Sequence, residues 1–146
     1  MENSTYLPDQ MPVPVPASDG LDAQFWAGLS CRELRLQKCS RCAAFQWGPE
    51  WICHKCLAWD PDWVAVEPVG HIYSFERVWH PVHESLAQAS PYLIVLVEIR
   101  GAGSVRMVGN LLGDPLRDIT IGTPVVGEFE DHDGPPQYTL LNWRIA

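Results

Sequence analysis

A mainly β chain is what three features of the sequence predict. Two cysteine pairs, Cys39/Cys42 and Cys53/Cys56, each spaced C-x-x-C, are separated by ten residues. Ahead of them, Leu21, Phe25 and Leu29 recur every four residues behind Asp19, a short amphipathic helix with a capping residue. After Gly70, runs of β-type residues are cut by glycine and proline turns into five short strands. Together these predict an N-terminal helix, a rubredoxin-like zinc ribbon and a C-terminal five-stranded OB-fold barrel, with an open sandwich as the rival arrangement of the strands.

In chain order, residues 1–18 carry Pro8, Pro12, Pro14 and Pro16, a spacing that blocks helix and predicts a flexible polyproline-like arm. Residues 19–37 hold the helix and a lead strand over 33–37, with Gly28 weakening the last helical turn. Residues 38–63 form the ribbon, where Phe45, Trp47, Trp51 and Ile52 around Gly48 and Pro49 are placed as an aromatic roof over the metal. Residues 64–146 are assigned to the barrel. There, an alternating run over 70–79 precedes a loop, 92–99 is apolar enough for a central strand, and 105–112, 124–130 and 138–145 complete the set.

The cysteine spacing is the strongest chemical signal. Two knuckles folded on one another present four thiolates as a tetrahedral cage suited to structural Zn²⁺, whereas disulfides or buried free thiols explain two such close doublets poorly. Iron at the same four thiols, in an electron-transfer protein, is the chemical alternative. His54 is left outside a cage already filled by sulfur. Cys31, the fifth cysteine, is expected to be buried or at an interface.

At 146 residues and 47% apolar, the chain can bury one modest core beside a metal-held lobe. Its charge is uneven. Arg32, Arg35, Lys38, Arg41 and Lys55 against Glu33 and Glu50 make residues 32–56 +3, which leaves −11 on the remainder of a chain whose net charge is −8. An acidic barrel repels phosphate backbones, so a stand-alone module stacking nucleic acid on Tyr73, Phe75 and Trp79 is disfavoured. The absence of a signal-like segment or a membrane-length apolar run, with thiols kept for metal, leads us to expect a cytoplasmic protein and no membrane partner. No nucleophile with a base, carboxylate pair or phosphate-binding glycine loop stands out. His80 and His83 lie in a proline-containing loop, and Asp131, His132 and Asp133 read as a polar hairpin tip. Binding is favoured over turnover.

The order Phe25-Trp26-Ala-Gly28, Glu33-Leu-Arg-Leu36, the two knuckles, Gly70-His-Ile-Tyr-Ser-Phe75, Pro91-Tyr92, Val97-Glu98, Gly109-Asn-Leu111 and Ile121-Gly-Thr-Pro-Val125 resembles the DUF35 family over residues 20–146. Ala43 and Leu57 depart from it, standing where a glycine commonly follows each knuckle. The resemblance implies a rubredoxin-like ribbon and an OB-fold in a chain without activity alone. It implies a hetero-oligomer with a thiolase-like or lipid-transfer-protein-like enzyme that carries the nucleophile, this chain helping to form the acyl-CoA site. One branch of the family serves retro-aldol cleavage of steroid side-chain acyl-CoA, towards which we lean, and another serves acetyl-CoA acyltransferases or condensing enzymes. On that basis Arg32, Arg35, Lys38 and Arg41 are candidates for the coenzyme phosphates, and Phe25 and Trp26 for the partner or an acyl channel.

Overall fold

The computed structural model describes Tyr6, Pro8, Ala17 and residues 19–146, so the expected proline-rich arm otherwise lies outside the described residues. The helix α1 spans Ala23–Ser30, one turn later than a cap at Asp19 implies. Turn hydrogen bonds precede it instead, the Gly20 N–H donating to Ala17 O and the Ala23 N–H to Gly20 O. Asp22 precedes the helix without capping it, because its Oδ2 accepts from the indole Nε1 of Trp26 at 2.8 Å. A half-buried indole N–H needs an acceptor, and that demand outweighs the cap. The helix ends on a Schellman turn, Arg32 N–H to Leu29 O and Glu33 N–H to Gly28 O, with Arg32 in the left-handed conformation.

Strand β1, Leu34–Lys38, follows at once and pairs antiparallel with β2, Phe45–Gln46, on one side and β3, Asp62–Val66, on the other. Gly28 explains how the helix lies so close to this sheet. A Cβ there would fall 2.8 Å from both the Arg35 Cγ and the Glu33 carbonyl oxygen, so the residue that weakens the helix also lets it dock. The apolar run over 64–69 divides at Glu67 and Pro68, its first half remaining in the ribbon sheet.

The second sheet has five strands: β4, Val69–Val78; β5, Tyr92–Ile99; β6, Arg106–Asn110; β7, Pro124–His132; and β8, Tyr138–Ile145. Their spatial order is β6-β5-β4-β7-β8. The two outer strands then meet through a parallel bridge between Leu111 and Trp143, with the Leu112 N–H donating to Trp143 O at 2.8 Å. That closure makes an OB-type barrel rather than an open sandwich. β5 lies inside the sheet between β6 and β4, as its composition predicts. Leu93, Val95, Val97 and Ile99 face inward and are fully buried, while the alternate residues are half-exposed.

One core serves both sheets. Phe25, Leu29, Leu34 and Leu36 from the helix and ribbon belong to the same buried cluster as Val95, Val97, Val125 and Trp143 from the barrel. The ribbon is therefore anchored by apolar packing on the barrel. Among the described residues no helix is long and apolar enough to cross a membrane.

Closure depends on a missing side chain. A Cβ at Gly109 would sit 2.7 Å from Cδ1 and Nε1 of Trp143, against a ring that is itself 1% exposed. Gly109→Ala is expected to cost about 1–3 kcal/mol as overpacking, read as a lower thermal midpoint, whereas substitution at Gly134, with nothing within 4 Å of an added Cβ, leaves the midpoint nearly unchanged.

Candidate metal centre and the surfaces around it

Each knuckle is built by the same backbone pattern. In the first, the Ala43 N–H donates to Cys39 O at 2.8 Å and the Cys39 N–H to Ala44 O at 2.9 Å; in the second, Leu57 N–H to Cys53 O at 3.0 Å and Cys53 N–H to Ala58 O at 2.8 Å. Ala43 and Leu57 both have φ of 59°, the left-handed region that glycine occupies without strain. The turn survives the loss of glycine, at a local conformational cost.

The knuckles bring all four sulfurs within 4.8 Å of one another. Cys39 and Cys56 Sγ are 3.5 Å apart, Cys42 and Cys53 Sγ 3.6 Å. A disulfide holds its sulfurs about 2.05 Å apart. A tetrahedral site with bonds of about 2.3 Å separates them by about 3.8 Å, so this spacing fits a metal such as zinc. The backbone N–H of Cys56 is the main influence drawing the Cys53 thiol down to about 6, against burial, with Lys55 N–H assisting at 3.3 Å. Cys39 is lowered first by the Cys42 N–H. For Cys42, the Ala44 N–H pulls downward but is outweighed by burial and the three neighbouring sulfurs, which push it up to about 11. Such crowding of thiolates is relieved by a cation in their midst.

A pair of buried glutamines, which the periodicity did not flag, braces this cage. Gln46 Nε2 donates to Gln37 Oε1 at 2.8 Å and to Ile52 O at 3.1 Å, and its Oε1 accepts from the His54 N–H at 3.0 Å. Gln37 in turn exchanges hydrogen bonds with both the N–H and the C=O of Glu50. Every backbone group of the inter-knuckle loop bound this way is one that the ladder does not reach. Two glutamines facing each other across β1 and β2 were the available signal.

The expected aromatic roof is not assembled. Trp47 instead packs on Phe25, with ring centroids 4.4 Å apart, and Trp51 is 61% exposed. Phe45 lies beneath the Lys38 ammonium, 5.0 Å from its ring centroid. Cys31, at the helix C-cap, is exposed in this chain, so of the two places expected for it, buried or at an interface, burial within the chain does not hold.

The basic residues are dispersed. Arg32 pairs with Asp131 and lies over Phe129, and Arg35 is held by Glu33 at 2.7 Å and Gln24 at 3.3 Å. Arg41 is exposed on the first knuckle. Phe25 is buried, whereas Trp26 lines a groove of about 210 Å³ with Leu29, Trp47, Met107, Val108 and Leu141. His83 caps the 3-10 turn Glu84–Leu86 by accepting from the Ser85 N–H and does not join His80 in a ligand set. Asp131 and His132 are drawn apart by strand alternation, the first to Arg32 and Thr139, the second to Glu130. Among the described residues only the four cysteines form a metal-ready group. Of the three aromatics considered as stacking platforms, Tyr73 has the Arg106 guanidinium 3.6 Å over its ring and Phe75 packs on the core.

Fold and centre together define a class, a small barrel protein carrying a four-cysteine ribbon. The family model for the C-terminal OB-fold domain of ChsH2 matches residues 63–130. The chain of a solved "Ltp2-ChsH2(DUF35) aldolase" is similar with a TM-score of 0.74 and 31% identity, covering 90% of this chain and 98% of that one. A DUF35 protein of unknown function from Sulfolobus solfataricus shares the fold, with a TM-score of 0.60 at 16% identity over 88% of this chain and 87% of its own. The chain belongs to the DUF35 family. Curated relatives include a probable enoyl-CoA hydratase alpha subunit of Thermomonospora curvata, 32% identical over 91% of this chain, and the 3-oxo-4,17-pregnadiene-20-carboxyl-CoA hydratase alpha subunit of Mycobacterium tuberculosis, 31% identical over 94%. This chain spans about two fifths of the length of each of these relatives, 40% and 41%.

Metal analysis is expected to find one equivalent of zinc in colourless protein, and red protein would mean iron instead. Cys39→Ser and Cys56→Ser are each expected to lose the metal and the ribbon's protection in hydrogen exchange. Ala43→Gly is expected to stabilise the first knuckle by about 0.5–1 kcal/mol in denaturant melts, relief of the left-handed strain outweighing the added chain entropy.

Proposed function

We propose that this chain is a non-catalytic accessory subunit, held in shape by structural zinc, that binds a thiolase-like enzyme and helps form its acyl-CoA site. The observation that carries this reading is the likeness, over 98% of its length, to the DUF35 chain named in an aldolase. The chemistry then proposed for the complex is retro-aldol cleavage of a steroid side-chain acyl-CoA, and the pregnadiene carboxyl-CoA in the name of one relative supports a steroid substrate. The hydratase names are not transferred, since about three fifths of each of those proteins has no counterpart here. An acetyl-CoA acyltransferase or condensing enzyme as partner is the second reading, favoured by nothing specific in the geometry.

Within this proposal the ribbon's outward cations and the tryptophan groove divide the ligand. Arg41, assisted by Lys38, is exposed to meet coenzyme phosphates, while Arg32 and Arg35 are engaged within the chain. The groove beside Trp26 suits an apolar partner side chain or the edge of an acyl channel. Its floor is the buried ring of Phe25, which supports Trp26 in an edge-on contact at 5.4 Å.

The test is coexpression with a thiolase-like or lipid-transfer-protein-like enzyme, followed by copurification and assay against a panel of acyl-CoA thioesters. A stable complex that cleaves a steroid side-chain acyl-CoA is expected, with no turnover by this chain alone; failure to copurify would overturn the reading. In that complex Arg41→Ala is expected to weaken acyl-CoA binding about fivefold at low salt. Arg32→Ala is expected to lower thermal stability while leaving acyl-CoA affinity unchanged, and the reverse pattern would reassign the phosphates to Arg32.

A further inference from the structure

The ribbon sheet ends on an open edge. Its order is β2-β1-β3, so β3, Asp62–Val66, pairs with β1 on one side only. Among the described residues, no main-chain group bonds to its backbone from the other side. Alternate residues of an antiparallel edge strand turn both N–H and C=O outward, and a further strand can satisfy those groups as water does. Proteins blunt such edges with a bulge, a proline, a glycine or an edge lysine. β3 has none of these, its five residues running in unbroken register against Leu34 to Lys38. The other edges offer less, since β2 is two residues long and the outer barrel strands meet each other at Leu111 and Trp143.

Sequence around the edge sets its length and its charge. Pro61 and Pro68 bracket it, so a new ladder is confined to residues 62–67. Asp60 and Asp62 at one end and Glu67 at the other are exposed, and none of the three is in an ion pair among the described residues. Lys38 stands opposite Asp62 in the ladder but holds its ammonium over the Phe45 ring. Between the acidic ends, Trp63, Val64 and Val66 are half-exposed and Ala65 is exposed. A second copy is a poor occupant. Pairing β3 with itself about Val64 would set Asp62 of each strand beside Val66 and Glu67 of the other, bringing like charges together at both ends. An apolar strand with basic ends has no such conflict.

We propose that β3 is a strand-addition site, taking an extended apolar segment of another protein that carries a basic residue at each end. Main-chain hydrogen bonds to the outward groups of residues 62–66 supply the affinity. Lysine or arginine beside Asp62 and beside Glu67 supplies the selectivity. The site uses neither the Trp26 groove nor Arg41, so it stands or falls independently of an acyl-CoA enzyme as partner.

The test uses the full chain and a fluorescent heptapeptide of alternating valine and threonine between two terminal lysines. Two further forms carry backbone N-methyl groups on alternate residues, in opposite phase. Only one phase removes the N–H groups that face β3, so one form is expected to bind about tenfold more weakly and the other as the parent peptide does. Glutamate in place of both lysines is expected to weaken binding about fivefold at low salt. The double variant Asp62→Asn, Glu67→Gln, shown to be folded by circular dichroism, is expected to lose that preference. No binding of the lysine-ended peptide, equal binding of the two N-methylated forms, or a charge preference that survives in the double variant would overturn the proposal. A dimer of the chain alone in which the amides of residues 62–66 are protected from hydrogen exchange would also overturn it, by giving the edge to a second copy.

Discussion

The indole of Trp143, pressed against Gly109 where only a hydrogen atom fits, is the contact on which the architecture turns. Its backbone joins β8 to Leu111 and Leu112, closing a sheet whose outer strands otherwise have no partner. Its ring belongs to the cluster that also buries Phe25, Leu29, Leu34 and Leu36. Barrel closure and ribbon placement are therefore one packing problem, since a gap at Trp143 would loosen the helix that sits between them. Close-packed interiors transmit such a change because neighbouring side chains have little room to absorb it.

The ribbon is a second, smaller solution to the same need for rigidity. Trp51, Leu57 and Trp59 of the ribbon are exposed and build no core there, and a closed cage of four thiolates supplies the order that a core supplies elsewhere. Around the cage, Gln37 and Gln46 satisfy the loop's buried polar groups, a role for which leucine or valine would leave donors stranded. A centre with all four positions filled by sulfur has no open site for substrate. The proposed complex assigns the chemistry to a partner, and to this chain shape, exposed cations and an apolar groove.

Several residues changed meaning once their surroundings were visible. Arg32 reads as part of a basic stretch, yet the helix terminus turns it towards the hairpin of β7 and β8, where Asp131 neutralises it. Asp131, His132 and Asp133 read as a cluster, yet successive strand residues face opposite sides, so Asp131 and His132 serve different partners. Trp47 reads as cover for the metal, but the apolar surface of Phe25 was nearer. Glu130, unremarkable among the acidic residues, proves to be the hub of a buried hydrogen-bonded chain running from Asn110 to His132.

What the chain alone determined is what depends on near neighbours: cysteines two and ten residues apart, a four-residue apolar repeat, and strand runs punctuated by glycine and proline. Those signals located the four cysteines that the fold brings together, the helix and the strands, because spacing of a few residues sets knuckle, helical and pleated geometry directly. Only the tertiary structure decided which strands closed the barrel, where the helix lay and which arginines were engaged by carboxylates. Each of those outcomes joins groups far apart in sequence, such as Arg32 with Asp131. Local periodicity carries no information about such pairings, which follow from how the whole chain packs into one core.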